Sequence, residues 1–87
     1  MKYVVMGLNG QESIFLFPRH VDHDRFVEGI EAIRFGSIYD WERKFRSEGE
    51  LLSAGFVTNG RCHGRSETLD LDSRSDVDTE LLKVSFQ

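Results

Sequence analysis

Lys2-Tyr3-Val4-Val5-Met6-Gly7-Leu8-Asn9-Gly10-Gln11-Glu12-Ser13-Ile14-Phe15-Leu16-Phe17 reads as two apolar strands joined at Asn9-Gly10. Asn-Gly between two apolar runs is the strongest short-range hairpin signal, because a two-residue type I′ turn needs positive φ at both central positions. A turn of that length fixes the register, so Tyr3 faces Leu16, Val4 faces Phe15, Val5 faces Ile14 and Lys2 faces Phe17. Side chains alternate between the two faces of a strand. One face then carries Tyr3, Val5, Ile14 and Leu16, and the other Val4, Met6, Phe15 and Phe17. A half-exposed antiparallel hairpin alternates apolar with polar, but here both faces are apolar. This hairpin has to be covered on both sides.

Outward from it, Pro18 closes the second strand, since proline cannot donate to a ladder. Asp22 is placed to cap a helix over about residues 23–35, with Asp24 in its first turn. Phe26, Val27, Ile30 and Ile33 form one apolar stripe, and Gly36 is a natural stop. Residues 37–50 read as a short helix, capped by Asp40 and ended by Gly49, or as a loop anchored by aromatics. A second hairpin is predicted over Glu50–Thr58 and Arg61–Leu71 around Asn59-Gly60. Its register sets Val57 opposite Cys62, Phe56 opposite His63, Gly55 opposite Gly64 and Ala54 opposite Arg65. Ser75 with Asp78 resembles a capping box that opens a helix over about 76–84, with Val77, Leu81, Leu82 and Val84 apolar. The expected fold is α+β in the order β-β-α-(α)-β-β-α, an antiparallel sheet from two hairpins with two helices packed on it.

Two short helices cover one face of a four-stranded sheet. At about 25 cal/mol per Å² of apolar area, leaving the other face of the first hairpin wet forfeits several kcal/mol. A cover is therefore expected from residues 37–46, from a second copy of the chain, or from a partner, and a homodimer is the predicted state.

Eighty-seven residues make one domain, residues 1–87, whose core is small. Apolar residues at 39%, with seven Phe, are enough to form that core, so the chain is expected to fold. A net charge of −4 argues against a nucleic-acid binder that needs a basic face. Cys62 is the only cysteine, so neither an internal disulfide nor a Cys-rich zinc site can form, and a reduced cytoplasmic setting is expected. No run approaches the ~20 apolar residues of a membrane span, so no membrane association is expected.

Four groups of residues could carry chemistry or contact. His20 and His23, beside Asp22 and Asp24, have the donor types of a transition-metal site but supply two imidazoles at best. Cys62 and His63 suggest a nucleophile and base; as neighbours on one strand they point to opposite faces and cannot serve each other. Arg61, Arg65 and Ser66, with Gly55 and Gly64, could hold an anion through guanidinium and backbone N–H groups. Tyr39, Trp41, Arg43 and Phe45 combine aromatic and basic side chains of the kind enriched at protein interfaces.

The runs Ser53-Ala54-Gly55-Phe56, Arg61-Cys62-His63-Gly64-Arg65-Ser66 and Ser73-Arg74-Ser75-Asp76 resemble a pattern found in small uncharacterised proteins of bacteriophages and prophages. Phe17-Pro18 followed by His20 and His23 fits the same pattern, which covers most of the chain outside residues 37–50; against it those residues look like an insertion. His63 departs from it where an aromatic is expected, and Ser75 where a proline is expected. The resemblance implies phage or prophage origin and transfers no catalytic residue. Taken together, the sequence predicts a non-enzymatic interaction protein that uses no cofactor and binds a phage or host macromolecule. The alternative is a module for a small anion or a metal.

Overall fold

A computed structural model describes residues 1–8, 10–35 and 49–86. Its elements are β1 (Lys2–Leu8), β2 (Gln11–Phe17), α1 (His23–Phe35), β3 (Gly49–Thr58), β4 (Arg61–His63), β5 (Arg65–Ser66), β6 (Leu71–Asp72) and α2 (Ser75–Ser85). The class is α+β, with antiparallel sheets and two helices. Four strands form the main sheet in the order β2-β1-β3-β4, and β5 pairs with β6 in a separate ribbon. None of the described helices is long and apolar enough to cross a membrane.

β1 is a central strand, the most buried of the four. It pairs with β2 from Lys2↔Phe17 to Leu8↔Gln11, and with β3 on its other side. Val5 lies opposite Ser53 and Met6 opposite Leu51, which leaves Leu52 as an extra residue in β3. Such a bulge changes which face a side chain takes without ending the strand. Leu51 packs with Met6 on one side of the sheet, and Leu52 packs with Tyr3 and Val5 on the other. Between β3 and β4, Asn59 and Gly60 have φ of 53° and 76°.

Each face of the sheet has its own helix. Val4, Met6, Phe17 and Ala54 pack against Val27, Phe26 and Val21 on the α1 side. Tyr3, Val5, Ile14 and Cys62 pack against Leu81 and Leu82 on the α2 side. The expectation that both helices share one face, leaving the other to residues 37–46, a second copy or a partner, is therefore corrected in its placing of the helices. The cover comes from within the chain. Burying a large apolar side chain stabilises by roughly 1.5–3 kcal/mol, and placing one helix on each side collects this from both faces of the hairpin.

The chain after β4 also departs from the sequence reading. A single strand over Arg61–Leu71 is replaced by β4, β5 and β6. The β3–β4 ladder ends at Phe56↔His63, so Gly64 does not face Gly55 and Arg65 does not face Ala54. Arg65 pairs with Asp72 instead. Gly64 has φ +80°, where an L side chain is strained, and there the chain leaves the ladder. Gly55 has a different role. A Cβ there would overlap the His63 carbonyl oxygen and sit 3.3 Å from Cβ of Ser73. Residues 36–48, including Tyr39, Trp41, Arg43 and Phe45, lie outside the described residues, while Gly49 and Glu50 begin β3.

α2 corrects two further expectations. Ser75 lies inside the helix instead of capping it, and its hydroxyl donates to the Cys62 carbonyl at 2.8 Å. Two of its four expected apolar residues also turn outward. Asp78, Thr79 and Leu82 are buried, whereas Val77 is 54% and Val84 69% exposed.

Candidate functional site

The main sheet has two edges, and the backbone hydrogen-bond phase shows what each presents. Val57 N–H donates to the Met1 carbonyl at 2.7 Å, and the Met1 nitrogen donates back to the Val57 carbonyl at 3.3 Å. In an antiparallel ladder, residues alternate between bonding one neighbour strand and bonding the other. Odd residues of β1 therefore face β3 and even ones face β2. In the register of the β1–β2 pair, Gln11, Ser13, Phe15 and Phe17 bond β1, so Glu12, Ile14 and Leu16 turn their N–H and C=O outward. Among the described residues, no strand pairs with that side and no hydrogen bond reaches those groups.

β4 forms the opposite edge. Phe56↔His63 and Thr58↔Arg61 bond the strands, so Cys62 is the residue that faces out. Both of its backbone groups are taken by α2. The Cys62 N–H donates to Thr79 Oγ1 at 3.0 Å, and Ser75 Oγ donates to the Cys62 carbonyl. The β4 edge is three residues long and capped by hydroxyls; the β2 edge is seven residues long and, among the described residues, open. Natural sheets blunt long edges with charged side chains, proline or bulges; β2 has no proline or bulge, and its one charge, Glu12, is neutralised by Arg74. Phe15 and Leu16, on opposite faces of the strand, are only half-buried.

Beneath this edge runs a polar chain that the apolar periodicity does not reveal. Glu12 Oε1 lies 2.6 Å from Nη2 of Arg74. Arg74 reaches Asp78 Oδ1 through Nη2 at 2.9 Å and Nε at 3.1 Å, and its backbone N–H donates to Oδ2 at 2.9 Å. Tyr3 donates its hydroxyl to the same Oδ2 at 2.5 Å. Asp78 is 0% exposed, and its carboxylate is accommodated because every partner is a donor. Burial, reinforced by the hydrogen bond to Asp78, raises the Tyr3 hydroxyl far above its ordinary pKa. The bond to Glu12 leads the upward shift of Arg74. One signal was available in the sequence: Ser75, Asp78, Thr79 and Leu82 share a helical face, although three of the four are polar.

The predicted chemical residues are not brought together. His23 is buried, with Nε2–H donating to the Gly55 carbonyl at 3.0 Å and its ring edge-on to Phe17 and Phe56. Burial lowers its pKa below the ordinary 6.5. His20 is exposed, so the pair expected as metal ligands splits between core and surface. Among the described residues, no three His, Cys, Asp or Glu side chains converge as metal ligands. Cys62 is buried on the α2 side, where desolvation pushes its thiol up and away from the reactive thiolate. His63 is exposed, bonded to Thr58 Oγ1 at 2.8 Å and stacked on Phe56.

The expected anion set is dispersed as well. Arg61 pairs with Asp76 at 3.2 Å, and Arg65 pairs with Asp70 and, at 3.8 Å, with Asp72. Ser66 is buried and its Oγ accepts the Leu69 N–H at 3.2 Å, closing the turn between β5 and β6. Gly55 and Gly64 serve a backbone approach and a chain reversal. An open groove of about 310 Å³ lies near Arg19, Phe56 and His63, and none of the predicted anion-binding residues lines it. Comparison with protein-family models, with curated proteins and with solved structures finds no match to this chain.

Proposed function

We propose that the protein is a non-enzymatic interaction protein whose contact with another chain is made by strand addition at β2. The observation that carries this reading is the full-length, unblunted edge at Glu12, Ile14 and Leu16, flanked by half-buried Phe15 and Leu16. An added strand gains main-chain hydrogen bonds from the edge and specificity from alternate side chains. The side chains that the sequence offered for chemistry support the same reading. Arg61, Arg65, Ser66, His23 and Cys62 are each committed to an internal contact or to the core. The three runs that resemble phage and prophage proteins favour a phage or host macromolecule as the partner.

Glu12→Pro tests the edge, because the Glu12 N–H points outward and its loss leaves the bonds to β1 intact. In capture experiments from a host lysate, a partner bound through β2 is retained by the wild type and by Val84→Asp, and lost with Glu12→Pro. Equal capture by all three overturns the reading.

A further inference from the structure

The outward groups of β2 have an internal symmetry. They number three, and Ile14 is their centre. Resting on the reading of β2 as the open contact edge, we infer that its occupant is a second copy of this chain, paired antiparallel about a two-fold axis at Ile14. In that register Ile14 faces Ile14 of the second copy, and Glu12 of each copy faces Leu16 of the other. Each of these three pairs is of the hydrogen-bonded kind, so every outward N–H meets an outward C=O and none is left over. A two-fold interface requires such self-complementarity: the same patch must satisfy itself when turned by half a revolution.

The side chains agree with this register. Ile14 and Leu16 share the α2 face with Glu12, so Leu16 of one copy lies beside the aliphatic stem of Glu12 from the other. The Glu12 carboxylate is already balanced by Arg74 of its own copy, so the approach brings together no uncompensated charge. On the α1 face, half-buried Phe15 lies over exposed Ser13 of the second copy. Two four-stranded sheets join into one of eight strands, with β4, the hydroxyl-capped edge, at either end. The pairing removes the long open edge and leaves only the short, capped ones.

Sedimentation of the full chain from low to high micromolar concentration reads the pairing directly. The expected result is a reversible dimer. Its dissociation constant rises by at least about tenfold in Glu12→Pro, which removes two donors per dimer, and by less than about threefold in Glu12→Ala, which keeps both donors and removes the side chain with its ion pair to Arg74. Amide hydrogen exchange on the wild type needs no variant. Glu12, Ile14 and Leu16 amides gain protection with concentration, while Ser13 and Phe15, bonded to β1, do not change. A chain that stays monomeric throughout overturns the second copy as occupant. So does a dimer whose outward amides gain no protection. If the chain is monomeric but partner capture still fails in Glu12→Pro, only the dimer falls and the edge reading stands. If the dimer forms through these amides while capture ignores Glu12→Pro, the edge holds the second copy and the partner binds elsewhere.

Discussion

The two edges of this sheet solve the same problem in opposite ways. Any strand at the border of a sheet presents unpaired N–H and C=O groups that can recruit another chain. At β4 those groups belong to one residue, Cys62, and α2 supplies a hydroxyl for each through Thr79 and Ser75. At β2 they belong to Glu12, Ile14 and Leu16, and the only side chain that α2's N-terminal region sends there is Arg74, which holds the Glu12 carboxylate and leaves the backbone uncovered. The helix thus seals the edge it belongs to and merely braces the other. One edge is part of the fold, and among the described residues nothing pairs with the other.

Three experiments separate these roles, beginning with the largest effect. Arg74→Ala removes the guanidinium from a carboxylate that is fully buried. Breaking a buried pair on one side typically costs about 3–5 kcal/mol, and denaturant unfolding should show a loss in that range. The brace between β2 and α2 disappears with it, so this variant tests whether the two edges are mechanically joined. A loss under about 1 kcal/mol, the size of a surface pair, places Asp78 in contact with water and breaks the picture.

Next in size is a contrast between the edges. Thr79→Val leaves the buried Cys62 N–H without its acceptor and should cost about 1–3 kcal/mol. Ser13→Lys places a charge on the exposed side of β2 and should change monomer stability by no more than about 0.5 kcal/mol. Equal effects at the two positions erase the distinction. The smallest effect concerns the interior between the edges. Burial depresses the His23 pKa, so the unfolded chain takes up a proton first. The stabilisation is whole above the unfolded pKa of about 6.5 and is lost as pH falls from there through the lower folded value. Unfolding midpoints measured from about pH 7.5 to pH 5 should decline in the wild type more steeply than in His23→Gln. Parallel declines assign the acid sensitivity elsewhere.

The parts of this architecture that show in the sequence are those governed by local chemistry. The two-faced apolar pattern of residues 3–17 demands cover on both sides, and the Phe26, Val27 stripe marks the inward side of α1. The side to which each helix goes is not local information. It depends on whether Val27 meets Val4 or Val5, a tertiary choice that the pattern of the helix alone leaves open. The polar chain was hidden for a related reason. An aspartate is read as exposed because its burial needs donors, and the donors of Asp78 include a tyrosine from the first strand. Val77 and Val84 misled in the opposite sense, since valine on a helix face looks like core until Asp78 and Thr79 take the inward positions. The candidate site was the least legible part. An open edge is a property of strand order, and the order β2-β1-β3-β4 is written in no single stretch.

The bond from Tyr3 to Asp78 joins residues 75 positions apart. Followed along the order of synthesis, it sets a schedule. β1 leaves the ribosome early, yet its β3 neighbour and its α2 cover follow far behind. Until residues 75–85 emerge, Tyr3, Val5 and Ile14 have no helix over them, and the nascent chain carries a sticky hairpin that cannot yet fold shut. Contacts of such long range are slow to close and leave apolar surface exposed in the meantime.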